Sequence, residues 1–449
     1  MQLALTSNIS LQIQGLDVTQ SEFNLWQSQF NRLPSLNLGI TQGFNFGRSI
    51  DPFTNQFIDQ RIRSNNFVLS GNALLFGGGQ INRTIHRNRL STQSNKYLFQ
   101  QQRNQLSLLV AQAYLTVVTQ RNVLKVAQAQ TLISERQLDK INRQRKAGVV
   151  PSSTYYTAET QYYTNKSNEA SASDSYQTAL LDLKQLLNLS STSAYVFDNP
   201  GVDISADTTT VYNINTVYQA ALSTQPEVRV GEMNKEIGLA NEQIARSALQ
   251  PTLSLGFNAF TGYSSARTKV IVDQNINPKF ISLLTGTGDT LNVPTSLFES
   301  SSRGFNTVPY PFTEQLIDNL SQSINLQLNI PIFTNMRNRL NINTATLNTK
   351  RAVLTDANTR NQLYKSVWSA VQQYENAKVK YKAIGKSLAS SNRGFSEYLK
   401  RSEVGVGNQF ELNTQQSLFT QAQINYEVAK LDLVFKKMVI EYYLKPWNE

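Results

Sequence analysis

The sequence predicts an internally duplicated α+β membrane protein in which pairs of β-strands alternate with very long helices. The order helix, strand pair, long helices occurs twice along the chain. Each strand segment has one apolar and one polar face, and no proline interrupts the stretch between Phe76 and Pro151 or that between Phe333 and Pro446. Repeated order, alternating strands and uninterrupted helices together indicate this fold class.

The duplication can be read directly from short matching segments. The segment from Pro34 to Gly39 (PSLNLG) recurs 217 residues later from Pro251 to Gly256 (PTLSLG). The Ala-Gly-Val segment at 147–149 is matched 257 residues later by Val-Gly-Val at 404–406. The offset changes only between the two strands of the second copy, so an insertion there separates two otherwise equivalent repeats.

The repeats define the predicted elements. The first repeat, 1–210, is predicted to hold a helix, strands over 34–47 and 64–76, and long helices over 78–147 and 151–188. The second repeat, 211–449, is predicted to hold a helix over 211–250, strands over 251–260 and 322–333, and long helices over 336–402 and 408–444.

The N-terminus lacks the features of a signal peptide. No basic segment, apolar segment and cleavage site follow one another after Met1. In the second repeat, helical sequence begins several residues before the equivalent of Met1. We therefore expect the chain to begin inside its first helix and to have lost a leader.

The strands have the alternation of a membrane-facing sheet. Leu36, Leu38 and Ile40 alternate with Asn37 and Gly39, and the other three strands repeat this period of two. A half-buried sheet of a soluble protein also alternates. The nearly uncharged polar face and the long polar connections over 48–66 and 261–322 favour a transmembrane barrel with extracellular loops. The smallest membrane barrels have about eight strands, so we expect the sheet to close between subunits.

The helices are predicted to form long hairpins. A continuous helix over 80–146 would span ~100 Å. Large side chains recur every seven residues in the last helix and, less regularly, at the equivalent positions of the first repeat, which predicts coiled-coil packing. These positions are Leu412, Phe419, Tyr426, Leu433 and Ile440, and Tyr155, Tyr162, Glu169, Tyr176 and Leu183. Gly148 with Pro151, and Gly405, supply the turns at the two hairpin tips.

Composition argues against catalysis and nucleic-acid binding. The net charge is +11, but the basic residues are spread along helices rather than clustered with aromatic residues. With no cysteine and a single histidine, His86, the usual zinc sites and nucleophile arrangements are unsupported. Gly77, Gly78 and Gly79 lack the phosphate-binding glycine patterns, so we interpret them as a flexible bend from strand to helix. We expect no enzyme activity and no cofactor.

Two groups of basic residues follow the strand pairs. Arg83 and Arg87 lie just after the first pair, and Arg337 and Arg339 just after the second. They either solvate the helices or attract anionic lipid headgroups at the inner surface of the membrane.

The strand pairs, the Leu75-Phe76-Gly77-Gly78 junction and the glycine-valine tips resemble the TolC-like outer-membrane efflux family over essentially the whole chain. The resemblance implies a homotrimer in which each chain gives four strands to a shared 12-stranded outer-membrane β-barrel. The helices would form a coiled-coil periplasmic tunnel, with a small mixed region around its waist drawn from 188–213 and the residues near Trp447.

The function implied by this resemblance is that of a passive exit duct in a tripartite efflux or type I secretion system. A periplasmic adaptor (membrane fusion) protein would open the duct at its helical tips, and an inner-membrane pump would power export. The alternative is a trimeric, barrel-anchored coiled-coil surface protein with a structural or adhesive role. The duplication and the two hairpins favour the duct.

The resemblance also assigns candidate site residues. Contact with the adaptor falls on the tips, at Gly148, Val149, Gly405 and Val406. In this family, acidic residues six and nine positions after the second tip glycine narrow the periplasmic entrance. These positions hold Glu411, which matches, and Thr414, which does not. Glu411 could equally be a solvated first-turn residue favoured by the helix dipole.

Overall fold

In a computed structural model of the chain, the described residues are 2–50, 55, 57–59, 61–190, 210–271, 280–284, 286–294, 306–404 and 409–445. The chain divides into two compact units. One comprises Met1–Ser28, Asn82–Ala245 and Arg339–Glu449, and the other Gln29–Ile81 and Arg246–Asn338. Each repeat of the sequence contributes to both units. The predicted waist segments at 191–209 and near Trp447 lie outside the described residues.

The first unit is helical. Its helices are α1 (Gln2–Ser7), α2 (Ile9–Phe30), α3 (Gln80–Lys146), α4 (Ser152–Leu186), α5 (Ile214–Thr224), α6 (Pro226–Ser247), α8 (Arg337–Glu403) and α9 (Gln409–Leu444). One buried cluster joins Leu11, Val117 and Leu183 of α2, α3 and α4. A second joins Val228 and Leu363 of α6 and α8 to α9. Each repeat therefore forms one buried core, and the two cores are built from equivalent sets of four helices.

The second unit holds the strands and one short helix. They are β1 (Ser35–Asn45), β2 (Arg48–Ile50), β3 (Phe57–Asp59), β4 (Ile62–Gly77), β5 (Thr252–Ser264), β6 (Thr268–Ile271), β7 (Phe280–Leu284), β8 (Thr290–Pro294), β9 (Asn306–Pro309), α7 (Phe312–Asp318) and β10 (Ser321–Asn329). The main sheet is antiparallel, in the order β1-β4-β5-β10. In the described residues, β1 and β10 each pair on one side only.

The register of the main sheet places most of its apolar residues on one face, although Val68 and Phe260 pair on the other face and the register shifts between Leu74 and Phe76. Leu38 pairs with Leu69, and Leu69 with Ala259. This face is open in the single chain: Leu38 is 67% exposed and Leu326 of β10 66%. The opposite face carries Ser70 and other small polar residues. The predicted alternation is thus present in all four strands.

Two predicted elements end or break where proline requires it. The strand expected over 322–333 ends at Asn329, because Ile330 precedes Pro331, which has no N–H to donate to a ladder. The single helix expected over 211–250 is two helices, α5 and α6. Gln225 between them is extended (φ −80°, ψ 125°), as the residue before Pro226 prefers to be.

The backbone repeats the duplication even where the residues differ. The break between α1 and α2 falls at Asn8, and that between α5 and α6 falls 217 residues later at Gln225. At the strand-to-helix bend, Gly78 and Gly79 have φ of +59° and +75°. Their equivalents 257 residues later, Asn335 and Met336, have φ of +49° and +63°. The bend is therefore a conserved geometry of both repeats, and glycine is not required to form it.

The insertion of the second repeat contains ordered structure. It holds β6 to β9 and α7, and α7 is attached to the end of β5 by Gln315, which is fully buried. The Gln315 side chain accepts a hydrogen bond from Ser264 N–H at 3.0 Å and donates to Ser264 O at 3.0 Å and Tyr310 O at 2.9 Å. These bonds satisfy the last backbone groups of the strand.

Four long helices of the helical unit are linked in a defined order. Thr92 of α3 donates to Ser21 O of α2 at 3.1 Å. Ser94 of α3 donates to Asn234 of α6 at 3.3 Å, and Arg360 of α8 pairs with Glu232 of α6 at 3.0 Å. The order is therefore α2-α3-α6-α8.

We predict that Met336→Gly raises the free energy of unfolding by about 1 kcal/mol, because glycine adopts the left-handed region without the penalty that Met336 bears there. Chemical denaturation of the detergent-solubilised protein measures the change. Met336→Ala is the matched control, since it removes the same side chain and keeps the Cβ. Equal stability of the two variants would contradict the strain at this bend.

Candidate functional site

The tip of the first helical hairpin is closed by Gly148. This residue has φ of +74°, and the N–H of Val149 donates to Gln144 O at 2.9 Å, which satisfies a carbonyl at the end of α3. Pro151 is the N-cap of α4. Val149 is 71% exposed. The first tip thus presents an apolar side chain on a tight turn.

A short chain of contacts joins the two helices below this tip. The Arg145 guanidinium lies 4.1 Å from the centroid of the Tyr155 ring. The Tyr155 hydroxyl donates to Glu159 at 2.8 Å, and this hydrogen bond raises the pKa of the Tyr155 phenol. The contacts connect the last turn of α3 to the first turns of α4.

The second hairpin is described on both sides of its tip. Helix α8 ends at Glu403 and α9 begins at Gln409. Val404 is 74% exposed. The predicted tip residues Gly405 and Val406 lie outside the described residues.

The two gate candidates lie at the start of α9. Glu411 is in its first turn, and Thr414 follows three residues later on the same face. Both are exposed, whereas Leu412 on the other side of the helix is buried. The Thr414 hydroxyl donates to Phe410 O at 2.9 Å. A carboxylate is favoured at a helix N-terminus, so this position suits Glu411 both as a gate residue and as a solvated first-turn residue.

A groove of about 650 Å³ runs between α4 and α9 beside the gate candidates. Thr414 lines it and Glu411 does not. The other lining residues are Thr157, Thr160, Gln161, Phe410, Asn413, Ser417, Leu418 and Gln421. None of them is charged, so the groove offers hydroxyl and amide groups. Glu411 of α9 and Glu159 of α4 are the charged residues next to the lining residues in the sequence.

Polar links between helices were not anticipated from the sequence. Gln416 of α9 donates to Gln130 of α3 at 2.6 Å, and both side chains are buried. Asn122 of α3 donates to Glu427 of α9 at 2.9 Å. In the sequence, the only signal for such contacts is a single polar residue within or beside a heptad stripe. These bonds connect the first half of α9 to α3 of the first hairpin.

A tyrosine pair makes the corresponding link to α8. The hydroxyls of Tyr381 and Tyr426 lie 2.8 Å apart, and their rings are stacked. Burial, aided by the hydrogen bond to Tyr426, raises the pKa of Tyr381 to about 12. The Tyr381 phenol therefore keeps its proton throughout the physiological pH range.

The remaining site predictions are placed as follows. Gly77 ends β4, and a Cβ at Gly78 would lie 2.8 Å from the Cβ of Gln250, so close packing as well as φ favours glycine there. His86 is exposed on α3. Among the described residues, no group of three or more metal-binding side chains occurs. None of the described helices has both the length and the hydropathy of a membrane span.

We predict that Gly148→Ala lowers the free energy of unfolding by about 1 kcal/mol. Its Cβ would meet no atom within 4 Å, so the cost arises only from the positive φ. Thermal unfolding followed by circular dichroism measures it. Gly385→Ala, inside α8, is the control and is expected to be neutral or stabilising because alanine favours helix. A change of the same sign and size in both variants would argue against the turn geometry.

Comparison with known proteins agrees with this architecture. The family described as "Outer membrane efflux protein" matches residues 1–189 and 217–435. No curated protein sequence matches the chain.

Three solved structures illustrate the likeness in fold. A membrane protein from Pseudomonas aeruginosa is 18% identical, with a TM-score of 0.75 over 99% of this chain and 92% of that one. The outer membrane protein VceC from Vibrio cholerae is 12% identical, with a TM-score of 0.74 over 100% and 95%. The CmeC outer membrane channel from Campylobacter jejuni is 14% identical, with a TM-score of 0.74 over 98% and 84%.

Proposed function

We propose that this chain, which belongs to the outer membrane efflux protein family, forms the exit duct of a tripartite efflux or type I secretion system. The duct is a passive conduit. An adaptor protein opens it at the periplasmic helical tips, and an inner-membrane pump supplies the energy. The observation that carries this proposal is an open four-stranded sheet whose apolar face is exposed except where α7 packs on it.

The sheet requires further copies of the chain. Its outer strands, β1 and β10, each present one unpaired edge in the described residues. In hydrocarbon, unpaired N–H and C=O groups cost several kcal/mol each, so membrane-spanning strands must close into a barrel. Pairing of β1 from one copy with β10 from the next closes the sheet, and three copies give the 12-stranded barrel that the family resemblance implies.

The helices support the same assembly. In the order α2-α3-α6-α8, the first and last helices are α2, which directly precedes β1 in the sequence, and α8, which follows β10. Both expose apolar residues at seven-residue spacing. We call these residues the edge stripes: Ile9, Leu16, Phe23 and Phe30 of α2, and Leu340, Leu347 and Leu354 of α8. Heptad stripes of this kind pack against one another, so α2 of one protomer is expected to contact α8 of its neighbour.

We predict that Leu347→Asn combined with Leu354→Asn destabilises the trimer, because burial of each leucine contributes roughly 1.5–3 kcal/mol. Analytical ultracentrifugation across a detergent or temperature series measures dissociation. The matched control is Leu132→Asn with Ile133→Asn, which are exposed on α3 outside the edge stripes. Equal stability of the two double variants would exclude this interface.

The alternative function, a barrel-anchored surface stalk, makes a different prediction for ion flow. A stalk does not need two hairpins per chain or a polar, uncharged sheet face, whereas a duct uses both. Single-channel conductance of the purified protein in a planar bilayer separates the two functions. A trimer that never conducts, even after its helical tips are destabilised, would favour the stalk.

The gate is proposed to lie at Glu411. Its position on the exposed face of α9 allows three symmetry-related carboxylates to approach the axis of a trimer. Such a ring repels itself but attracts cations into a narrow passage. Thr414 contributes no charge one turn away, so this gate has a single acidic layer.

We predict that Glu411→Gln lowers the preference of the channel for cations over anions and weakens block by multivalent cations. Thr414→Glu should change both in the opposite direction, because it adds a second acidic layer. Reversal potentials in asymmetric salt measure the preference. Glu135→Gln, an exposed acid of α3, is the control. Unchanged selectivity in both α9 variants would show that the constriction lies elsewhere.

The proposed partners are assigned from the helical tips and from the residues that follow the strand pairs. The exposed valine at the first tip, Val149, is proposed to contact the adaptor together with Gly148 and their equivalents Val406 and Gly405. At the strand end, Arg83 donates to Gln243 O at 2.9 Å, so part of its hydrogen bonding is internal. Arg337 and Arg339 are proposed to face lipid headgroups at the inner surface of the membrane.

A further inference from the structure

One charged side chain is present in the main sheet. All residues of β1, β4, β5 and β10 are described, and Arg63 is the only one among them with a formal charge. It is the second residue of β4, at the end of the strand that is remote in sequence from the long helix α3. A lone arginine in an otherwise uncharged sheet suggests that its charge has a binding partner.

The register places Arg63 on the apolar face. Arg63 pairs with Phe44, and Ile40 pairs with Phe67 on the same face. At this level the other face carries Gly43, which pairs with Ser64. A charge on a lipid-facing surface costs about 2–4 kcal/mol at the bilayer midplane but only ~0–1 kcal/mol near the interface. The end position of Arg63 is therefore consistent with the interface, where its long side chain can reach the headgroups.

Aromatic rings stack on the guanidinium of Arg63 and on that of Arg61, two residues earlier in the sequence. The Arg63 guanidinium lies 5.3 Å from the centroid of the Tyr263 ring. The Arg61 guanidinium lies 5.1 Å from the Phe44 ring and 5.2 Å from the Phe46 ring. We call Arg61, Arg63, Phe44, Phe46 and Tyr263 the rim patch. Stacking uses the face of a guanidinium and leaves the N–H groups at its edge available for hydrogen bonds.

Helix α7 flanks the rim patch. Its Phe312 ring lies 5.1 Å from the Tyr263 ring and 6.4 Å from the Phe67 ring, so the helix packs on the apolar face of the sheet. Phe312 is 41% exposed, and Ile317 is 74% exposed. The buried Gln315 described above attaches the helix to β5. Arginines, aromatic rings and exposed apolar groups thus adjoin one another, as at membrane–water interfaces.

Among the described residues, no acidic side chain forms an ion pair with the arginines of the rim patch. Lys269 nearby pairs with Glu314 at 2.7 Å. In the part of the chain that the structure describes, neither Arg61 nor Arg63 has an acidic side chain within 4 Å. Both are exposed. A guanidinium stacked on an aromatic ring can present its edge to a phosphate group, which accepts paired hydrogen bonds from arginine.

We propose that the rim patch binds a phosphate group of the glycolipid that forms the outer leaflet of the outer membrane. The inference rests on the proposed function, because it requires the β4 end that carries Arg63 to face the cell exterior. The aromatic rings and Phe312 then contact the sugar and the first acyl carbons, while the arginines bind the phosphate. The lipid would fix the depth of the barrel in the membrane.

The test uses the full-length protein in detergent and bisphosphorylated lipid A as the probe, with bound lipid counted by native mass spectrometry. Arg61→Gln combined with Arg63→Gln should weaken binding at least tenfold. Arg136→Gln with Arg393→Gln, which removes two exposed charges from the long helices, should leave it unchanged. Arg61→Lys with Arg63→Lys should be intermediate, because lysine keeps the charge but not the planar donor pair.

Ligand controls on the unaltered protein make the result independent of variant folding. Dephosphorylated lipid A should bind as weakly as the double glutamine variant binds the intact lipid. Phosphatidylglycerol that binds as tightly as lipid A would overturn the glycolipid assignment, and displacement by millimolar inorganic phosphate would indicate a free-phosphate site. Equal binding by variant and unaltered protein would exclude the rim patch.

Conductance of the same samples reports on the duct separately, so failure of the lipid site and failure of the proposed function are distinguishable.

Discussion

Backbone hydrogen bonding in hydrocarbon is the constraint on which the architecture depends. A strand inside a membrane must pair on both sides, since water is not there to bind its N–H and C=O groups. Each chain supplies a sheet that ends in β1 and β10, both with one open edge among the described residues. An open sheet with an exposed apolar face is unstable alone in a bilayer, and this instability is the reason for proposing that further copies of the chain complete the sheet.

The duplication shows which features of the repeat are structural requirements. Gly78 and Gly79 suggest that the strand-to-helix bend needs glycine, yet Asn335 and Met336 adopt the same left-handed conformation. The bend is imposed by the need to turn from a tilted strand into a helix at this point in both repeats. Residue identity then decides how much the bend costs, about 1–2 kcal/mol for a residue with a Cβ. At Gly78 the close contact of a Cβ with Gln250 would add to this cost.

Charge is distributed sparingly over this molecule. The main sheet carries Arg63 alone, and the groove between α4 and α9 is lined by hydroxyl, amide and apolar groups. The contacts that connect the hairpins include a neutral hydrogen bond between Gln130 and Gln416 and a hydrogen bond from Asn122 to the carboxylate of Glu427. Within the main sheet and along this groove fixed charge is therefore rare, and Arg63 is the only formal charge of the sheet.

The sequence by itself determined the fold class, the four strands and the hairpin with Gly148, because periodicity and proline-free runs are local signals. It also identified Glu411 and Thr414 as residues of one helix face. Only the tertiary structure placed Arg63 beside Tyr263, Gln130 against Gln416, and Gln315 under the end of β5. Those contacts join residues more than forty positions apart, and their partners are chosen by strand register and helix packing, which no local pattern encodes.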